Sequence, residues 1–95
     1  MEIHLKAKFR LGQLVATPGA IEALQESGQT PASFLRRHVT GDWGEVGEED
    51  GRLNDEALKD GGRILSAYQT LRTVKLWIIT EADRSLTTML LPREY

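Results

Sequence analysis

An α+β fold, with short N-terminal helices packed on one face of a three- to four-stranded antiparallel sheet, is predicted by the order of patterns along this 95-residue chain. Three observations carry that expectation. Val74 to Thr80 and Leu86 to Leu91 are apolar runs rich in β-branched residues, separated by Glu81-Ala82-Asp83-Arg84, which is the form of a β-hairpin with a polar tip. Upstream, Thr17-Pro18 and Thr30-Pro31 each open a helical pattern. Within the first apolar run Val74, Leu76 and Ile78 share one strand face while Lys75, Trp77 and Ile79 share the other. A strand that is apolar on nearly both sides belongs in the middle of a sheet.

From Ile3 to Ala16 apolar residues first alternate with charges and then gather around Gly12, which predicts an extended segment with a bend at the glycine. At Thr17-Pro18 the hydroxyl can accept from a free backbone N–H and the proline has no N–H to leave unpaired, so a helix starts there and ends at Ser27-Gly28. Thr30-Pro31 repeats the opening and leads through Phe34, Leu35, His38 and Val39 to Gly41. Glu48-Glu49-Asp50 complements the dipole of a third helix, whose apolar stripe is Leu53, Ala57 and Leu58 and whose stop is Gly61-Gly62. Arg63 to Tyr68 is then a short strand, which makes everything after Arg63 a three-stranded antiparallel meander. The N-terminal segment is placed as a fourth strand, at an edge or beside Leu86 to Leu91.

The length fits one domain spanning residues 1–95, and a composition of 40% hydrophobic and 27% charged residues is that of a folded protein rather than a disordered tail. With no cysteine, disulfides, thiolate metal sites and cysteine nucleophiles are excluded, which suits a reducing compartment. The opening MEIHLKAKFR is charged and no run approaches ~20 apolar residues, so a cytoplasmic protein without signal peptide or membrane contact is expected. The net charge of −2 is unevenly spread, with Lys6, Lys8, Arg10, Arg36 and Arg37 making a basic part and the acidic residues crowding the middle. Two helices joined by a Gly turn, with Arg36 and Arg37 on the second, also raise a helix-turn-helix reading, and a nucleic-acid-binding domain more generally predicts those five cations on one face.

Candidate functional residues fall in two places. Trp43, within Gly41-Asp42-Trp43-Gly44, is either a lid packed on the core or a surface anchor for a partner. At the hairpin tip Glu81, Asp83, Arg84 and Ser85 bring carboxylate, guanidinium and hydroxyl groups together, either as a binding or acid–base site or as a polar turn that caps its own backbone. The histidines, His4 and His38, have no metal-site spacing, and His38 reads as a cation at the end of the second helix. No cofactor or metal is expected. The Glu48-Glu49-Asp50 triplet lacks the alternating oxygen ligands of a calcium loop.

Helices followed by an antiparallel sheet, with a polar TEAD turn after a WII strand, resemble the barnase-like guanyl-specific ribonucleases, which pair a Glu base with a His acid on the sheet. Here no His follows His38. A resemblance over nearly the whole chain rests on LGQLVATPGAIEAL, FLRRHVTGDWGEV, GRILSAY and WIITEADRSLTTMLLPREY, above all on GDWG and ITEADRS-x-TT-x-LLP. These are similar to a family of small bacterial proteins usually described as hypothetical or plasmid-related, which implies a bacterial, mobile-element-associated protein and no particular reaction. The function expected from these readings is a non-enzymatic protein-interaction module of mobile-element or defence context. Its partner would be a protein, docked through the sheet and the Trp43 loop, with a homodimer through an open sheet edge compatible with it. The alternatives are a nucleic-acid-binding domain and a barnase-like small ribonuclease or toxin.

Overall fold

The computed structural model describes residues 6–95. Strand β1 (Gln13–Ala16) leads into helices α1 (Pro18–Ser27), α2 (Pro31–Val39) and α3 (Glu48–Asp60). Strands β2 (Ile64–Gln69), β3 (Lys75–Thr80) and β4 (Leu86–Leu90) follow, and a single turn of 3-10 helix, Pro92–Glu94, comes after them. The alternation expected from Ile3, and His4 with it, begin outside the described residues. Among the described residues no helix is long and apolar enough to cross a membrane.

Local chemistry sets the helix ends. The Thr17 hydroxyl accepts from the Ala20 N–H, and Gly28 and Gly61 close α1 and α3 in the left-handed conformation. Thr30 precedes α2 in the same Thr-Pro dipeptide but makes no side-chain capping bond, so the two openings differ in mechanism. β2, β3 and β4 form the expected antiparallel meander, with β3 inside the sheet.

The sheet is not purely antiparallel. Its order is β1-β4-β3-β2, and β1 runs parallel to β4, with Gln13 beside Leu86 and Ala16 beside Met89. No short turn joins these two strands, so loop geometry leaves their relative direction free. The junction at the end of β1 accounts for the direction found. Running parallel, β1 delivers Thr17-Pro18 to the end of β4 where Glu94 waits. The Glu94 carboxylate accepts from the Thr17 hydroxyl, the Gly19 N–H at 3.0 Å and the Leu91 N–H at 2.9 Å. These bonds, led by that from Thr17, hold its carboxyl below the usual range at the positive end of α1. An antiparallel β1 would start α1 at the opposite end of β4.

The helices reach one side of the sheet unequally, α3 only at its end, where Ala57 packs with Ile64. Ala20, Ala23 and Leu24 of α1 and Phe34 of α2 pack on Tyr68, Leu76, Ile78 and Met89, which share one side of the sheet. Helix α3 instead lies along the outer edge of β2. Asn54 Nδ2–H donates to the Leu65 carbonyl at 2.7 Å and its Oδ1 accepts the Leu65 N–H at 3.0 Å, so a side chain acts there as a neighbouring strand. The next outward residue is closed by backbone: Ala67 donates to the Trp43 carbonyl at 3.0 Å and accepts from Glu45 at 2.6 Å. Helix α3 is thus fixed at the edge, and Trp77 on the second face is left half-buried.

Candidate functional site

Three of the four side chains singled out at the hairpin tip, Asp83, Arg84 and Ser85, are tied into the turn or its surroundings. Arg84 adopts φ +60° and points its guanidinium back under the tip, donating to the carbonyls of Gly62 at 2.6 Å, Ala57 at 3.0 Å, and Glu81 and Ala82 at 3.1 Å. It therefore ties the C-terminal end of α3 to the hairpin. Asp83 Oδ1 accepts from both the N–H and the hydroxyl of Ser85, at 3.0 and 2.6 Å, which holds its carboxyl low and closes the turn. The Glu81 carboxylate instead faces Arg63, whose Nε lies 3.7 Å away.

Trp43 is 9% exposed. Its indole N–H donates to Asp55 at 3.1 Å, and its ring centroid lies 6.2 Å from that of Phe9 and 6.1 Å from that of His38. It seals the end of the core beneath α3, as the lid reading has it. The neighbouring cation is equally committed: Arg37 bonds Asp42 at 2.6 Å and stacks at 4.4 Å on the Tyr68 ring, while the Tyr68 hydroxyl donates to the Asp42 carbonyl at 2.6 Å. Burial pushes the Tyr68 phenol up to about 12.

His38 is not a helix-end cation. It is fully buried, with Nδ1 at 2.6 Å from the Ser66 hydroxyl and Nε2 at 2.9 Å from that of Thr80. Proton directions follow by elimination. Thr87 donates to the Leu11 carbonyl at 2.7 Å, so Thr80 supplies the proton for its 2.7 Å contact with Thr87. Thr80 must then accept from His38 Nε2–H, which leaves Nδ1 to accept from Ser66. The imidazole is neutral among neutral hydroxyls, and burial lowers its pKa to about 4. It does not meet Glu81 in a cleft, so the arrangement that a ribonuclease needs is not formed by these two residues.

An accessible cleft lies on the second sheet face. Trp77, Leu65 and Ile79 form its floor, Leu53 and Asp50 of α3 one wall, and Arg63 and Tyr95 the other, around about 460 Å³. Tyr95 stands edge-on to Trp77 with centroids 5.8 Å apart, and its hydroxyl accepts from Arg63 at 2.8 Å. Leu53 is 47% exposed. Of the five residues singled out in the sequence, only Glu81 borders this cleft, through Arg63. Trp77 was visible as a large aromatic sharing a strand face with Lys75, a face on which burial is incomplete. Nothing local marks Leu53, Asp50 or Tyr95 as its neighbours.

No family of known proteins, no curated protein and no solved structure matches this chain.

Proposed function

We propose that the protein is a non-enzymatic interaction module that docks a protein segment in the cleft floored by Trp77. One observation supports this reading above the others: Trp77 in the floor and Tyr95 in the wall form an aromatic pair that lines a mostly apolar, open cleft. Aromatic side chains of this kind, apolar in body and polar at the tip, are the usual anchors of protein interfaces. The rim carries Asp50 and Glu81 beside Arg63, whose charge is shared with Glu81 and Tyr95. Such a rim suits an apolar side chain flanked by a cation and repels a phosphate backbone. The nucleic-acid reading is weakened further by Arg37, whose charge is bound to Asp42.

The test is affinity capture of tagged protein from its native host, with and without nuclease, comparing wild type with Trp77→Ala and Leu53→Glu. A protein partner that survives nuclease and is lost from both variants is the expected result. Recovery of nucleic acid alone, or a protein partner retained by both variants, would refute docking at this cleft.

A further inference from the structure

The two edges of the sheet are finished differently. On β2 the outward backbone groups of Leu65 and Ala67 are all bonded, to Asn54 and to the Trp43–Glu45 segment. On β1 every residue is exposed. Gln13 and Thr17 turn their N–H groups inward, to the carbonyls of Ser85 at 3.0 Å and Met89 at 3.0 Å. By the alternation of a strand, Leu14 and Ala16 direct theirs away from the sheet. The sequence Gln-Leu-Val-Ala has none of the usual protections of an edge, neither a charge nor a proline. Leu14 is 51% and Val15 39% exposed, and beside them an apolar groove of about 220 Å³ runs between β1 and the α2 residues Pro31 and Leu35.

We propose that β1 is a homodimer interface, at which two copies of this chain pair their β1 strands antiparallel across a twofold axis beside Val15. The choice of a second copy rests on self-complementarity. With the axis at Val15, Leu14 of each copy lies opposite Ala16 of the other, and these are the residues whose backbone groups point outward. Four interchain N–H···O bonds form. On the helix side a large side chain meets a small one twice, and because Ala16 lines the groove, Leu14 of one copy faces the groove of the other. Val15 meets its own counterpart on the opposite face. The strand brings no charge to the axis, so identical copies meet there without like-charge repulsion. Pro18, which has no N–H, ends the pairing where α1 begins.

The result is a continuous eight-stranded sheet with an isologous interface. Its axis is perpendicular to the sheet, so both Trp77 clefts lie on the same side. Measured across the strands, the two Trp77 positions are five strand spacings apart, about 24 Å. If the cleft binds a protein segment as proposed above, the dimer presents two such sites to one partner; the dimer itself does not depend on that reading.

Sedimentation of the untagged full chain from about 10 μM to about 1 mM, with circular dichroism as the check on folding, tests the interface. Wild type is expected to pass from monomer to dimer, and Leu14→Lys to weaken association more than about tenfold by placing a charge in the facing groove. A wild type that stays monomeric throughout, or a folded Leu14→Lys that dimerises as wild type does, overturns the proposal. Should Leu14→Lys fail to fold, Val15→Cys decides the matter. The native chain has no cysteine, and directly opposed residues at a non-hydrogen-bonded position are close enough for a disulfide. Val15→Cys is expected to cross-link about tenfold faster than Leu71→Cys, a control at the exposed β2–β3 turn. Equal rates would contradict the register.

Discussion

The molecule has two tryptophans, and their surroundings are opposite. Trp43 is 9% exposed, has its N–H bonded to Asp55 and lies among Phe9, Val46, Ala57 and Ile64. Close by, Arg37, Arg84 and His38 each have their polar atoms bonded within the fold. Trp77 lies half-buried on a strand face with Tyr95 beside it and open volume in front. A dense cluster of functional-looking groups in sequence is therefore a poor guide here. Polar groups near a turn are the ones best placed to bond to that turn, whereas a large aromatic on an open face keeps surface that the fold does not cover.

The contrast can be broken by substitution, first on the sealed side. Trp43→Ala should cost roughly 3–5 kcal/mol, the range for truncating a large aromatic in a core, read as a lower urea midpoint. A loss near zero would mean that Trp43 is not a core residue. Acid is the next largest perturbation. Unfolded, His38 binds a proton near its ordinary 6.5; folded, it resists until about 4. Between those values the unfolded chain holds more protons, so this contribution is complete above about pH 6.5, is lost as pH falls towards 4, and amounts to about 3 kcal/mol. Urea titrations across that window should show the slope in wild type and a flatter curve in His38→Gln.

Asn54→Ala comes third. It leaves the outward N–H and carbonyl of Leu65 without their partner and should cost about 2 kcal/mol, and hydrogen exchange at Leu65 should quicken by a matching factor. Trp77→Ala should be the smallest, about 1 kcal/mol, the scale of one aromatic pair. If it instead destabilises as much as Trp43→Ala, the two sides are not different in kind.

What the sequence showed and what it concealed follow from the range of the interactions. Thr17, Gly28 and Gly61 act on their own helix ends, so three helix boundaries could be read locally. The β3–β4 hairpin was legible because its turn is short. The direction of β1 was not, since it is held by Glu94 at the far end of the chain. His38 suggested a cation because Arg37 precedes it and a helix ends after it. Its spacing of four from Phe34, which places both on the buried stripe of α2, was the contrary signal. Arg84 looked available because nothing nearby in sequence reveals that the last carbonyls of α3 lie above it. Half of the cleft, the Trp77 and Ile79 face of β3, was present in the alternation around Lys75. Leu53, Asp50 and Tyr95 reach it only through the packing of α3 and the final turn.

Because the chain contains two tryptophans, a ¹H–¹⁵N spectrum should contain two indole N–H resonances, assignable with Trp43→Phe and Trp77→Phe. Adding the captured partner to labelled protein is the most direct test of the open cleft. The Trp77 resonance should shift or broaden while that of Trp43, bonded to Asp55, stays in place. Movement of Trp43 with Trp77 unchanged would put the docking surface on the side described here as sealed.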